Sequence, residues 1–211
     1  MGAVMDARDL RLAVVILAAG AGQRFSTQLG AKLLAPIDGE PLLARVLRQV
    51  RVFPAAATVV VLGYGADAVE DGLSWSDEIR VRNHQPERGL SSSLQVGLDA
   101  LRALPDQFDG AFIVLGDQPR LQPAVMQALA SAASVGRPAD RSIVVPRYET
   151  PGPRNPVLLL RPAWALVDQL RGDTGLGPVI AAAPDSVLEV AVSGTMPDVD
   201  TPDDLVRIEH V

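Results

Sequence analysis

Four groups of residues in this 211-residue chain have the types and spacing to handle a phosphorylated ligand. The first is Leu17-Ala18-Ala19-Gly20-Ala21-Gly22-Gln23-Arg24-Phe25, followed by Lys32. Glycines at 20 and 22 permit positive φ and let backbone N–H groups approach an anion. Arg24 can fork onto phosphate oxygens, and Lys32 adds a point charge. The second is Asp117 in Gly116-Asp117-Gln118-Pro119, just past an apolar run. A carboxylate there is placed to hold a hard cation, and Mg²⁺ commonly takes one or two carboxylates together with phosphate oxygens. The third is Gly89-Leu90-Ser91-Ser92-Ser93-Leu94, where three hydroxyls and first-turn helix amides suit a base edge or a phosphate. An ordinary serine cap explains one of the three. The fourth is Asp198-Val199-Asp200-Thr201-Pro202. Local rules make Asp200 or Thr201 the cap of the last helix, which leaves Asp198 free for a metal.

Two familiar phosphate loops fail on spacing. A P-loop needs Gly-x-x-x-x-Gly-Lys-Ser/Thr, whereas Gly30-Ala31-Lys32-Leu33 lacks the glycine spacing and the hydroxyl. A dinucleotide fingerprint needs a third glycine where Phe25 stands and an acidic end to the second strand, which reads Leu62-Gly63-Tyr64. The loop therefore reads as a triphosphate cradle with two cations.

The elements that must position these groups are short apolar runs separated by helix-length amphipathic stretches. Residues 13–17, 58–62, 111–115, 142–145 and 156–160 read as strands. Their near-continuous apolarity implies burial on both faces and hence a mainly parallel sheet. Residues 41–52, 65–71, 92–103, 123–133, 162–170 and 202–210 read as helices, several opened by proline. The alternation predicts an α/β domain with helices on both faces. The densest Pro/Gly patch, residues 150–156, is too short for a linker, so the expectation is one domain over 1–211 with 1–11 as a flexible extension.

Composition narrows the chemistry. Hydrophobic residues at 48% and charged residues at 21% exclude wholesale disorder. Nineteen Lys+Arg against 25 Asp+Glu give a net charge of −6, which disfavours a nucleic-acid surface but not a single nucleotide. With no cysteine, thiolate catalysis and Cys-type zinc sites are excluded, and two histidines, His84 and His210, are too few for a multi-histidine site. The apolar run at residues 12–19 is far shorter than the roughly 20 residues a spanning helix needs. Charged residues precede it, so it makes a poor leader, and a cytoplasmic protein without a membrane partner is expected.

Taken in order, these motifs resemble those of the MobA-like nucleotidyltransferases, and most closely the molybdenum cofactor cytidylyltransferases. The likeness runs from Leu-Ala-Ala-Gly-x-Gly-x-Arg-Phe with Lys32-Leu33-Leu34 through Gly89–Leu94, Gly116–Pro119, Arg154-Asn155-Pro156, Gly172-Asp173-x-Gly175 and Asp198–Pro202. The resemblance implies a single-domain, Rossmann-like (glycosyltransferase-A-like) nucleotidyltransferase, an NTP donor, Mg²⁺ and release of pyrophosphate. It assigns Arg24, Lys32 and Asp117 to catalysis, and Leu17, Ala18, Ala19, Gly20, Gly22, Ser92, Ser93 and Gly116 to the nucleotide. It assigns Arg154, Asn155 and Asp173 to the acceptor, and Asp117 with Asp198 to the metal, Asp200 being the second choice. Ala19, Gln118 and Ser93 tilt the base toward CTP, and the expected acceptor is the molybdopterin cofactor, with a molybdoenzyme as client. This chain departs from the cytidylyltransferase pattern at the acceptor. Arg154-Asn155-Pro156 lacks that pattern's histidine, Gly172–Gly177 lacks its arginine, and Ser26-Thr27-Gln28-Leu29 is inserted after the first loop. The alternatives are another NTP, such as GTP, acting with a sugar phosphate or other phospho-acceptor, or a non-catalytic cofactor-binding protein.

Overall fold

The computed structural model describes residues 10–22, 24–25, 30–135, 140–150 and 152–209. Most of the expected N-terminal extension, the inserted residues 26–29 and His210 lie outside them. Strands β1 (Leu12–Ala18), β4 (Thr58–Leu62), β5 (Ile79–Arg82), β6 (Gly110–Leu115), β7 (Ile143–Tyr148), β8 (Val157–Leu160) and β9 (Val187–Val192) form one sheet, ordered β5-β4-β1-β6-β8-β7-β9. A small hairpin of β2 (Pro36–Ile37) and β3 (Glu40–Pro41) stands apart from it. The neighbours β5, β4, β1 and β6 are parallel, as are β7 and β9, but β8 runs antiparallel to both β6 and β7. The sheet is thus mainly parallel, with one reversed strand.

Helices cover both faces. Alternate residues of β1 feed two separate cores: Val14 and Ile16 join one, while Ala13, Val15 and Leu17 join the other. The first core is closed by α2 (Leu42–Val50) and α5 (Pro123–Ser134), the second by α4 (Leu90–Ala103). Burying every side chain of β1 is why its sequence shows no polar alternation. The smaller helices are α1 (Ala31–Leu34), α3 (Ala66–Gly72), α6 (Trp164–Val167), α7 (Gly177–Ala182) and α8 (Pro202–Glu209).

Three features differ from the sequence expectations. Strands β5 and β9 are additional and form the two edges, where one face meets solvent and charged residues interrupt the apolar run, as in Ile79-Arg80-Val81-Arg82. The helix expected over 162–170 is a 3₁₀ turn, Arg161–Ala163, followed by the single turn α6. The Trp164 indole there donates back to the Leu159 carbonyl at 3.1 Å. Helices α1 and α7 are too short to leave a periodic signature. No helix among the described residues is long and apolar enough to cross a membrane.

Candidate active site

Because β1 and β6 are adjacent, parallel and in register with Leu17 opposite Leu115, the loops that follow them leave the sheet side by side. Gly116 N–H donates to the Leu17 carbonyl at 2.9 Å, and Tyr64, after β4, donates to that of Ala19 at 3.3 Å. These loops floor a cleft of about 830 Å³ lined by Gly20, Gly22, Arg24, Lys32, Asp117 and Asp200. Gly22 has φ +62°, and a Cβ there would stand 3.1 Å from the Lys32 Cβ, so glycine lets this turn close over the lysine stem. Of the other residues expected at the nucleotide, Leu17, Ala19 and Ser93 line the same cleft. Ala18 instead packs into the first core, and Gly116 braces the two strand ends.

The charged groups converge tightly. Lys32 Nζ lies 2.6 Å from Asp117 Oδ2 and 3.5 Å from Asp200 Oδ1. Arg24 NH1 lies 3.2 Å from Asp200 Oδ2. The Lys32 side chain is only 11% exposed, so water screens it poorly. Asp198 is placed differently. Its carboxylate accepts from Gln118 Nε2, which is 1% exposed. Burial pushes the Asp198 carboxyl above its ordinary range; the Gln118 bond opposes this, and the neighbouring Asp117 and Asp200 add to it. The expected capping arrangement changes as well. Asp204 reaches back to accept from Asp200 N (3.1 Å), Thr201 N (2.8 Å) and Thr201 Oγ1 (2.8 Å). This is one half of a capping box, and it leaves the Asp200 side chain free to face Lys32. Of the two aspartates, Asp200 faces Lys32, and Asp198, the one the resemblance favoured for the metal, is taken up by Gln118. Val199 N–H donates to the Asp117 carbonyl at 3.1 Å, tying the two acidic loops together.

The serine segment is mostly scaffold. Ser91 Oγ donates to the Gly172 carbonyl at 2.7 Å and Ser92 Oγ to that of Gly89 at 2.8 Å. Buried Asn83, which no sequence motif marks, donates to Ser92 Oγ at 2.8 Å and Ser93 Oγ at 3.0 Å. Ser93 therefore presents an oriented hydroxyl at the cleft wall, and Ser92 does not. Asp173, expected at the acceptor, accepts from Leu90 N at 3.2 Å and so caps α4 from a distant loop. Gly89 at that junction has φ +83°, and a Cβ would meet the Asp173 backbone nitrogen at 2.5 Å, so no larger residue fits.

A second cavity, about 1010 Å³, adjoins the first; Leu17, Leu90 and Leu115 line both. Its walls are mostly apolar, with Arg154, Asn155, Arg141 and Glu189 as the polar side chains among the described residues. Arg154 NH1 pairs with Glu189 Oε1 at 3.0 Å. Arg141 donates to the carbonyls of Pro184 (3.1 Å) and Val187. The Asn155 carbonyl accepts from Tyr148 Oη at 2.7 Å, and burial pushes the Tyr148 hydroxyl up to about 12.

Residues 14–187 match a family described as the MobA-like NTP transferase domain. The crystal structure of Rv0371c from Mycobacterium tuberculosis H37Rv is similar along almost its whole length: 30% identity, 96% of this chain and 98% of that one, TM-score 0.83. Rv0371c in complex with manganese superposes with a TM-score of 0.78 at 28% identity, over 95% of this chain and 98% of that one. The bifunctional protein GlmU of Bordetella parapertussis is 34% identical over 125 residues, which is 59% of this chain and 27% of that protein. The match therefore spans about a quarter of the length of such curated relatives.

Proposed function

The chain belongs to the MobA-like NTP transferase family and carries its nucleotidyltransferase domain, and from that premise we propose that it transfers CMP from CTP to a phosphorylated acceptor, the molybdopterin cofactor, with release of pyrophosphate. The observation that carries the reading is the meeting of Arg24, Lys32, Asp117 and Asp200 in one cleft beside the glycine loop. An oxygen of the acceptor phosphate attacks the α-phosphorus as the bond to the bridging oxygen breaks, and that electron pair leaves with pyrophosphate. The acceptor phosphate is already anionic, so no protein base or covalent nucleophile is required. Catalysis is then positioning plus neutralisation of the charge that builds on the leaving group by Arg24 and Lys32.

A divalent cation fits the carboxylates. Asp117 and Asp200 already converge on one positive charge, the Lys32 ammonium, and offer hard oxygen donors. Among the described residues no group of three or more such ligands gathers, which suits a cation that completes its shell with phosphate oxygens and water. Asp117 and Asp200 would hold Mg²⁺ in this proposal, supplying charge neutralisation at the α-phosphate. The manganese complex of Rv0371c supports a divalent ion. Asp198, bound to Gln118, becomes a brace for the Asp117 loop. Because Gln118 is turned away from the cleft, the preference for CTP rests on Ala19 and on the Asn83-oriented Ser93.

The test is a thermal-shift panel of the four NTPs with and without Mg²⁺ or Mn²⁺, followed by pyrophosphate release with molybdopterin. CTP with the divalent ion should give the largest shift. A larger shift with GTP, or equal shifts for all four, overturns the cytidylyl reading. Stabilisation by CTP without pyrophosphate release from any phosphorylated acceptor overturns the enzyme in favour of a binding protein.

A further inference from the structure

The second cavity ends on a pair of opposite charges that the transfer reaction does not use. Glu189 lies in β9 opposite Val145 of β7, and its two oxygens face Arg154 NH1 at 3.0 Å and Arg147 Nε at 4.0 Å. From β6, which carries Asp117 at its end, to β9 the sheet crosses three strand spacings, about 14 Å. Leu94, Ile113, Val157 and Ile180 wall the interval. That distance is on the scale of a fused ring carrying a phosphate-bearing arm.

A phosphate seated on Arg154 would face the Glu189 carboxylate at close range, so the pair is poorly suited to a second anion. It suits an edge that donates to a carboxylate and accepts from a guanidinium together. A carboxylate takes two parallel N–H bonds from a planar fork, and a ring N–H beside an exocyclic amino group presents such a fork. The ring carbonyl next to it accepts from arginine, as a guanine carbonyl does. We propose that Glu189 and Arg154 read the 2-amino-4-oxo edge of the acceptor's fused ring, Glu189 being the specificity-determining residue and the apolar wall taking the ring face. This rests on the proposed function for an acceptor that carries a fused ring and for its phosphate lying near the cation that Asp117 and Asp200 would hold. The edge belongs to pteridines and to guanine alike, and the arms of the test separate them.

The experiment measures binding of pterin, lumazine (which carries a carbonyl in place of the 2-amino group) and GMP to the full chain by calorimetry. Glu189→Ala and Glu189→Gln are run alongside, with the CTP thermal shift as a second readout. Pterin should bind ~10- to 150-fold more tightly than lumazine, the loss expected for charge-assisted hydrogen bonds. That preference should vanish in Glu189→Ala and shrink in Glu189→Gln, with the CTP shift unchanged in both. Pterin tighter than GMP supports a pteridine acceptor, and the reverse order overturns it in favour of a guanine-bearing one. Equal binding of pterin and lumazine, no pterin binding, or equal losses of both in the variants overturns the inference. A missing CTP shift alongside intact pterin discrimination would sink the proposed donor while leaving the edge reading in place.

Discussion

The first cleft takes Arg24, Lys32, Tyr64 and Asp117 from segments that follow the parallel strands β1, β4 and β6, with Asp200 added from the segment before α8, whereas the second cavity is framed by the reversed strand β8 and the edge strand β9. Parallel neighbours deliver their outgoing loops to one edge at one level, so amides and charged side chains converge there. Where β8 reverses, the wall is built from the strand and helix flanks, which are mostly apolar, and its charged side chains are Arg141, bound to the Pro184 and Val187 carbonyls, and the Arg154–Glu189 pair. Under the proposed function one region neutralises phosphate charge, and the other accepts a shape with one polar end. Variants in the first should therefore act on chemistry and nucleotide affinity, and variants in the second on the acceptor alone.

The largest break in that division is expected at the acidic pair. Asp117→Asn and Asp200→Ala should each lower kcat by about 10²- to 10³-fold, the scale for losing one preorganised charge contact, with Tm little changed. Asp198→Asn keeps an acceptor for Gln118 and should retain most turnover. Pyrophosphate release checks all three, and an active Asp117→Asn enzyme, or Asp198→Asn falling as far as Asp200→Ala, would remove the assignment. Lys32→Ala comes next. Nucleotide affinity should fall by roughly 10- to 150-fold at low salt, the equivalent of one charged hydrogen bond, with the gap narrowing as salt rises. Calorimetric titration with CTP at two ionic strengths decides it.

On the acceptor side, Arg154→Ala should raise the acceptor KM by about tenfold while leaving CTP affinity alone. A matching loss of CTP affinity would mean that the two regions are not separable. The smallest effect concerns Tyr148. Its hydroxyl is held from an ordinary 10 up to about 12 by burial, so its contribution to stability is complete below pH 10 and drains away as pH rises through 12. Tyr148→Phe should cost about 1 kcal/mol at pH 7, from the lost bond to Asn155, and should flatten this part of the alkaline limb in pH-dependent melting.

What the sequence made readable follows the same division. The interior strands bury both faces, so they stand out as unbroken apolar runs, and the glycine loop and Asp117 follow at once as punctuation. The edge strands β5 and β9 carry charges on their exposed face, and with β9 went Glu189. Asp198 and Asp200 could not be ranked from their own neighbourhood. What separates them is Gln118, eighty positions upstream of Asp198, together with Asp204 taking over the cap that local rules gave to Asp200 or Thr201. Ser92 was legible as a hydroxyl at a helix start and Asp173 only through the family pattern; their partners, Asn83 and the Leu90 amide, come from distant segments, so Ser92 becomes scaffold while Asp173 both braces α4 and lines the first cleft.

The reversal of β8 has an evolutionary side. Because β7 runs toward the ligand edge and β8 runs back from it, the connection between them, which carries Arg154 and Asn155, closes on itself at that edge. A self-closing loop can lengthen, shorten or change composition without moving the register of β1 and β6, whose ends carry the proposed nucleotide site. Such an arrangement lets a lineage retune which acceptor is bound while its donor chemistry is inherited unchanged. Arg154-Asn155-Pro156, where the cytidylyltransferase pattern led us to expect a histidine, lies in this connection, so a departure there leaves Asp117 and the glycine loop where they are.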